Sequence, residues 1–135
     1  MALLPALELD HVGIAVADTG DSPLAAALGA TELALTTMPS GVAVGRFGPD
    51  KRIELVTPAH AGNPIDRFLE RRGPGLHHIA LRVDEPLASV VERLDAAGIE
   101  AVGPIEPSSD GRPCVFLHPS TTGGVLVELI EGSRP

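Results

Sequence analysis

The sequence predicts an α+β fold built from two β-α-β-β-β modules that are related by a pseudo-twofold axis. Two internal similarities and the helices between them predict it. The first similarity is that residues 10–18, DHVGIAVAD, align without gaps with residues 77–85, HHIALRVDE. This alignment places His11 over His78 on two predicted strands.

The second similarity lies further along each half of the chain. Residues 52–58, RIELVTP, align with residues 126–132, LVELIEG, and the alignment places Glu54 over Glu128. Each half therefore begins with a strand that carries a histidine and ends with a strand that carries a glutamate. Two such pairs in the same order indicate a duplicated module, because the period is far longer than that of a solenoid repeat.

The segments between these strands predict one helix per module and one linker helix. Ser22 and Pro23 are a typical N-cap and first helical residue, which predicts a short helix at about 22–29. The segment EPLASVVERLDAAG has apolar residues at i, i+3, i+4 and i+7 and ends at Gly98. Further short strands are expected at 31–37, 41–47, 99–103 and 113–117. We expect a single domain over 1–135, with modules at about 8–58 and 75–131 and a linker helix at about 63–72.

Alternation along the strands separates polar from apolar residues. Adjacent strand residues point to opposite faces, so His11 and His78 lie opposite the branched apolar residues, which should pack on helices. A lone polar residue on such a strand is usually an ordinary exposed side chain. Four at repeated positions are better explained by a site: if the halves come together around the pseudo-twofold axis, two imidazoles and two carboxylates can bind a divalent transition metal. His77 corresponds to Asp10 and faces the other way, so we expect it to be structural or to support a ligand.

Composition and charge exclude several classes of partner. The chain has 10 Lys and Arg against 18 Asp and Glu, three Phe, and no Trp or Tyr. A net charge of −8 opposes binding to nucleic acids and to anionic membranes. The single Cys114 cannot form an intramolecular disulfide and is typical of a reducing compartment. No stretch is long enough to span a bilayer, and MALLPAL lacks the basic region of a signal peptide, so we expect a cytoplasmic protein.

Three stretches and the motif H-V-G-I-A-V then resemble a known family. The stretches are N-P-I-D-R-F-L-E-R-R-G-P-G-L-H-H-I-A-L-R-V-D, F-L-H-P-S-T-T-G-G-V-L-V-E-L and I-E-L-V-T-P, at residues 63–84, 116–129 and 53–58. They resemble the methylmalonyl-CoA epimerases of the vicinal oxygen chelate superfamily, which also includes glyoxalase I, extradiol dioxygenases and bleomycin-resistance proteins. The resemblance implies that the two modules form a curved mixed sheet around a metal cleft.

The resemblance implies an isomerase, often dimeric, that inverts the α-carbon of methylmalonyl-CoA or a similar short branched acyl-CoA through a metal-stabilised enediolate. It implies Co²⁺ as the metal, with Ni²⁺, Mn²⁺, Zn²⁺ or Fe²⁺ as alternatives. Epimerisation needs proton removal on one face and return on the other, and Glu54 and Glu128 are placed as the two bases. The metal ligands implied by position are His11, Glu54, His78 and Glu128.

The resemblance also suggests residues that bind the substrate, and the sequence differs from the family at one position of interest. His118 ends a predicted strand, and the loop that follows it offers hydroxyls and backbone N–H groups that could bind a carboxylate. The loop could equally be an ordinary turn. Basic residues, including Arg46, are candidates for CoA phosphates. Some epimerases carry a glutamate where G-V-A-V here has Val44, which leaves open whether another base replaces it. The expected substrate-binding residues are His118, Ser120, Thr121, Gly123, Lys51 and Arg112.

Two other functions remain open at this point. A glyoxalase I-type lactoylglutathione lyase would use a chemically similar His/Glu/His/Glu site. A bleomycin-resistance-like binding protein would need no metal at all, so metal content separates it from both enzymes. An extradiol dioxygenase is disfavoured because it uses two histidines and one carboxylate around Fe(II). The native metal, the acyl group and the oligomeric state are left open.

Overall fold

The computed structural model describes residues 2–135 and divides into two compact units. One unit is His11–His77, and the other joins the residues up to Asp10 with His78–Pro135. The unit boundaries cut the first strand of each predicted module near its histidine. Each unit is described by itself.

The unit His11–His77 contains the strands and helix of the first module and the linker helix. Its sheet order is β2-β3-β4-β1, with β1 parallel to β4 and the other two pairs antiparallel. The elements are β1 (Glu8–Ala15, which enters this unit at His11), α1 (Pro23–Ala27), β2 (Thr36–Thr37), β3 (Val42–Phe47), β4 (Ile53–Pro58) and α2 (Pro64–Arg72).

Capping residues begin both helices of this unit where the sequence predicts. The Ser22 hydroxyl accepts a hydrogen bond from the Ala25 N–H at the start of α1. The Asn63 side chain accepts from two N–H groups of the first turn of α2, and Gly73 ends that helix with φ of 71°. Strand β2 is much shorter than the predicted 31–37, because the chain first turns, with the Leu33 N–H bonded to the Ala30 carbonyl.

The second unit repeats the topology of the first. Its sheet order is β6-β7-β8-β5, with β5 parallel to β8 and the other two pairs antiparallel. The predicted α+β class and the duplicated β-α-β-β-β order are confirmed. The elements are β5 (Gly75–Val83, which enters this unit at His78), α3 (Leu87–Ala96), β6 (Ala101–Pro107), β7 (Pro113–Leu117), a 3₁₀ turn (Pro119–Thr121) and β8 (Val127–Glu131).

The two parallel strand pairs have equivalent registers, so the repeat holds at the level of single residues. Gly13 pairs with Glu54 in the first unit, and Ala80 pairs with Glu128 in the second. Each of these small residues lies two positions after the histidine of its strand, on the same face. The same face of two neighbouring strands therefore carries the histidine and the glutamate in both units.

The opposite face of each sheet is packed as expected. In the second unit the buried core joins β5, β7 and β8 to one side of α3, through the cluster Val83, Leu87, Val90, Leu94, Val115, Leu117 and Leu129. In the first unit Ile14 packs on Leu55 and on Ala25 of α1. The helix α3 has no side-chain N-cap of its own, and the Glu131 carboxylate accepts its first N–H, that of Leu87, at 2.8 Å instead. Within residues 2–135, no helix is long and apolar enough to cross a membrane.

Candidate functional site

The first half contains a buried histidine–glutamate pair. His11 Nε2 lies 3.5 Å from Glu54 Oε2, and the two side chains are 0% and 6% exposed. Strands β1 and β4 run parallel beside each other, so residues on their common face meet directly. Gly13, which lies directly opposite Glu54 in this register, contributes no side chain to the face.

The second half contains the equivalent pair. His78 Nε2 lies 3.4 Å from Glu128 Oε1, with side chains 2% and 8% exposed. The imidazole also meets the ring of Phe116 edge-on, with centroids 5.4 Å apart. Burying an imidazole beside a carboxylate is costly unless the two are partnered. The duplication has thus preserved a buried histidine–glutamate pair in both halves.

The chemistry of these pairs fits a divalent transition metal. Imidazole nitrogen and carboxylate oxygen are ligands that Zn²⁺, Co²⁺, Ni²⁺, Fe²⁺ and Mn²⁺ accept. Each half turns one nitrogen and one oxygen toward each other at a distance that an ion could bridge. That one ion takes His11, Glu54, His78 and Glu128 together stays a prediction.

Arg46 takes a place that sequence reasoning missed. Its Nε donates a hydrogen bond of 2.9 Å to Glu54 Oε2, and its side chain is only 11% exposed. It lies directly opposite Glu54 in the antiparallel pair of β3 and β4. The expected role at a CoA phosphate does not fit a guanidinium that is buried against this carboxylate. Pairing the predicted strands 41–47 and 52–58 through a tight hairpin could have found the contact.

Val44 occupies the position at which some epimerases carry a glutamate. It is 8% exposed and belongs to a buried cluster with Ala15, Val56 and Ile65 of α2. In strand register it pairs with Val56, two positions along the strand from the pair of Arg46 and Glu54. This position offers packing and no acid.

The loop after β7 is tied by its own side chains. His118 Nδ1 accepts the Ser120 N–H at 3.2 Å and lies 2.8 Å from the Ser120 hydroxyl. The Thr121 hydroxyl donates to the His118 carbonyl and accepts from the Glu100 N–H. These bonds form a 3₁₀ turn in place of a plain hairpin. Substrate contacts from His118, Ser120, Thr121 and Gly123 stay a prediction.

The two remaining basic residues of the predicted site differ. Lys51 lies in the exposed β3–β4 turn with φ of 55°. Its role at a phosphate stays a prediction. Arg112 is 6% exposed and holds the Asp10 carboxylate with two hydrogen bonds of 2.8 and 3.1 Å. It also bonds the Asp110 carboxylate and the Gly132 carbonyl. The donors of Arg112 are directed to these internal acceptors, and a contact of Arg112 with a phosphate stays a prediction.

Burial and hydrogen bonding act in opposite directions on this network. Burial alone would raise the pKa of Asp110, but hydrogen bonds from Arg112 and Ser108 outweigh it and lower that pKa to about 2. Burial alone would lower the pKa of Arg112, and the hydrogen bonds to Asp110 and Asp10 raise it above its ordinary value. Arg112 is therefore a permanent cation at an internal position.

His77 faces away from its neighbour, as the alternation predicts. Its ring meets the Phe68 ring of α2 edge-on, with centroids 5.0 Å apart. That contact gives it a packing role.

A cavity of about 380 Å³ lies elsewhere in the first unit. The end of β1, the start of α1 and Pro74–Gly75 line it, and neither His11 nor Glu54 does. Its lining is largely apolar and its charged members, Asp18 and Asp21, are acidic. It is poorly suited to phosphate, so it adds nothing to the expected contacts with CoA.

Comparisons with known proteins agree with this geometry. Residues 10–116 match the family model described as Glyoxalase/Bleomycin resistance protein/Dioxygenase superfamily. An ethylmalonyl-CoA/methylmalonyl-CoA epimerase of Cereibacter sphaeroides is 43% identical over 84 residues, 60% of this chain and 62% of that protein. The chain thus spans less than two thirds of that relative's length.

Two further relatives are covered more fully. The mitochondrial methylmalonyl-CoA epimerase of Homo sapiens is 36% identical over 130 residues, which are 90% of this chain and 72% of that protein. The crystal structure of methylmalonyl-CoA epimerase from Mycobacterium tuberculosis is 31% identical, with a TM-score of 0.75 over 93% of this chain and 87% of that one.

Proposed function

Since this chain belongs to the Glyoxalase/Bleomycin resistance protein/Dioxygenase superfamily, and within it to the methylmalonyl-CoA epimerase family, we propose that it is an isomerase that inverts the α-carbon of methylmalonyl-CoA or a similar short branched acyl-CoA. The observation that carries the proposal is the buried histidine–glutamate pair at the same register in both halves. The names of the relatives supply the substrate class.

We propose that His11, Glu54, His78 and Glu128 hold a divalent metal, with Co²⁺ as the first candidate. The mixed imidazole and carboxylate donors of the two pairs support this set. When bound, the metal supplies Lewis-acid chemistry and stabilises negative charge on the thioester oxygen.

The proton transfers fall to the carboxylates of the chain. One carboxylate takes the α-proton, and the C–H electron pair moves toward the thioester oxygen. The electron pair then returns to the α-carbon as the protonated carboxyl on the opposite face gives up its proton to that carbon. Two bases are needed, and Glu54 and Glu128 are proposed for them because the repeat relates the two residues. Burial of both side chains keeps water from competing for the anion.

Hydrogen exchange at the α-carbon tests the proposal. Purified protein loaded with Co²⁺ is incubated with methylmalonyl-CoA in D₂O, and deuterium incorporation is followed by mass spectrometry. We expect exchange into both epimers, and a fully loaded protein that exchanges neither would contradict the proposal. Turnover of the hemithioacetal of glutathione and methylglyoxal would favour the glyoxalase I alternative instead. A protein that retains no metal would favour the bleomycin-resistance type.

The resemblance also supports a homodimer acting in the cytoplasm. One intermediately exposed cysteine, Cys114, is compatible with a reducing compartment. Light scattering of the purified protein tests the dimer, because it distinguishes 13.9 kDa from twice that mass.

A further inference from the structure

One oxygen of Glu54 has two partners. Oε2 accepts the Arg46 Nε at 2.9 Å and lies 3.5 Å from His11 Nε2. All three side chains are buried or nearly so. A permanent cation is therefore in hydrogen-bond contact with a carboxylate that is proposed as a metal ligand.

The other half differs at the equivalent position. Arg46 lies opposite Glu54 in the β3–β4 pair, and Phe116 lies opposite Glu128 in the β7–β8 pair. The duplicated sites thus keep the histidine and the glutamate but exchange a guanidinium for an aromatic ring. Phe116 is occupied with the His78 ring and brings no charge.

This difference has an electrostatic consequence. A guanidinium and a divalent cation compete for the electrons of the same carboxylate, and the two cations repel each other. Salt screens this repulsion weakly because the groups are buried. At the equivalent position opposite Glu128, the Phe116 side chain carries no charge that could repel the metal.

We propose that Arg46 is a positioning residue that competes with the metal for Glu54, so that Glu54 is held less firmly by the metal than Glu128. The inference rests on the proposed metal site and deepens it. Arg46 would offer the Glu54 carboxylate an ion-pair partner whenever that carboxylate is not bound to the metal. The two carboxylates then have unequal roles although the fold relates them by a repeat.

Metal affinity in the absence of substrate tests this inference. Co²⁺ is titrated calorimetrically into metal-free wild-type protein and into Arg46→Met, Arg46→Lys and Arg52→Met. We expect Arg46→Met to bind Co²⁺ about tenfold more tightly, since the repelling charge is gone. Arg46→Lys keeps the charge and should stay near wild type. Arg52→Met is the matched control, because Arg52 belongs to the same hairpin, is half exposed and pairs with the exposed Asp50.

Two glutamate variants test the inequality directly. Glu54→Gln should weaken Co²⁺ binding less than Glu128→Gln does, and this measurement remains available if Arg46→Met fails to fold. Unchanged or weaker binding by Arg46→Met, an equal loss in both glutamine variants, or no Co²⁺ binding by the wild type would each overturn the inference. The D₂O assay separates the two proposals. If the wild type exchanges the α-proton but Arg46→Met does not bind Co²⁺ more tightly, only the inference about Arg46 is contradicted. If Arg46→Met binds Co²⁺ more tightly but the wild type does not exchange the α-proton, only the epimerase proposal is contradicted.

Discussion

His78 Nε2 lies 3.4 Å from Glu128 Oε1, on the neighbouring parallel strand, while the preceding residue, His77, has a different environment. His77 contacts the Phe68 ring of α2. Adjacent strand residues point to opposite faces, so the double histidine presents one ring to a carboxylate and one to an aromatic side chain. This separation makes the two histidines a matched pair for mutation.

His78→Ala should abolish tight Co²⁺ binding and α-proton exchange, because it removes a proposed ligand and leaves Glu128 buried without its imidazole. His77→Ala should retain the metal and lose the packing against Phe68. Metal content of the dialysed proteins and exchange in D₂O measure both effects. The opposite outcome, with metal lost only in His77→Ala, would mean that the strand register is wrong.

The predicted fold follows from features that are local in the sequence. Asn63-Pro64 begins α2, and the period of EPLASVVERLDAAG predicts α3, because capping and amphipathic spacing act within a few residues. The strand 113–117 was predicted with its observed bounds. The repeat extended these local signals, since a histidine in one half identified its counterpart in the other.

Contacts between distant or irregular segments could not be predicted in the same way. Arg112 and Asp10 are 102 positions apart, so a search for phosphate ligands had no reason to pair them. The segment EPLASVV provides no side-chain cap for α3, and Glu131 at the end of β8 caps the helix instead. Residues 31–35 have strand-like composition but turn through Ala30–Leu33 and pack Leu33 into the core. Such choices are made by tertiary packing, which a single sequence does not display.

Arg112→Met should destabilise the protein severely. The substitution leaves the buried Asp10 and the partly buried Asp110 carboxylates without the cation that holds both. Breaking a buried ion pair from one side costs about 3–5 kcal/mol. Urea unfolding measures the loss. Arg93→Met is the control, because Arg93 pairs with Glu85 at a surface where ion pairs contribute about 1 kcal/mol or less. Equal losses in the two variants would contradict the assignment of Arg112 as an internal anchor.

The same network predicts part of the acid sensitivity. The pKa of Asp110 is lowered from 3.8 to about 2, burial being outweighed by the hydrogen bonds from Arg112 and Ser108. Because the folded pKa lies below the unfolded one, this stabilisation is complete above about pH 4 and is lost as the pH falls through about 2. Asp110→Asn should flatten the pH dependence of unfolding in that window and cost about 1 kcal/mol at neutral pH, since Asp110 is partly solvent-screened. Exposed Asp95, changed to Asn, should leave the profile unaltered.

Asn63→Ala should weaken the β4–α2 connection more than the loss of a simple helix cap would. The Asn63 side chain accepts the N–H groups of Ile65 and Asp66 at 3.0 Å each. Its amide also donates to the carbonyls of Gly41 and His60, so one buried side chain joins α2 to two loops.

An N-cap alone contributes about 1 kcal/mol, and leaving two further groups unsatisfied should bring the total cost to about 2–3 kcal/mol. Thermal unfolding measures this cost. Asn63→Asp separates the two parts, because aspartate keeps the cap but places a carboxylate oxygen against the Gly41 and His60 carbonyls in place of a donor, so its stability should lie well below that of the wild type although the cap is retained. If Asn63→Asp matched the wild type, the donated bonds would contribute nothing and the cap alone would account for Asn63.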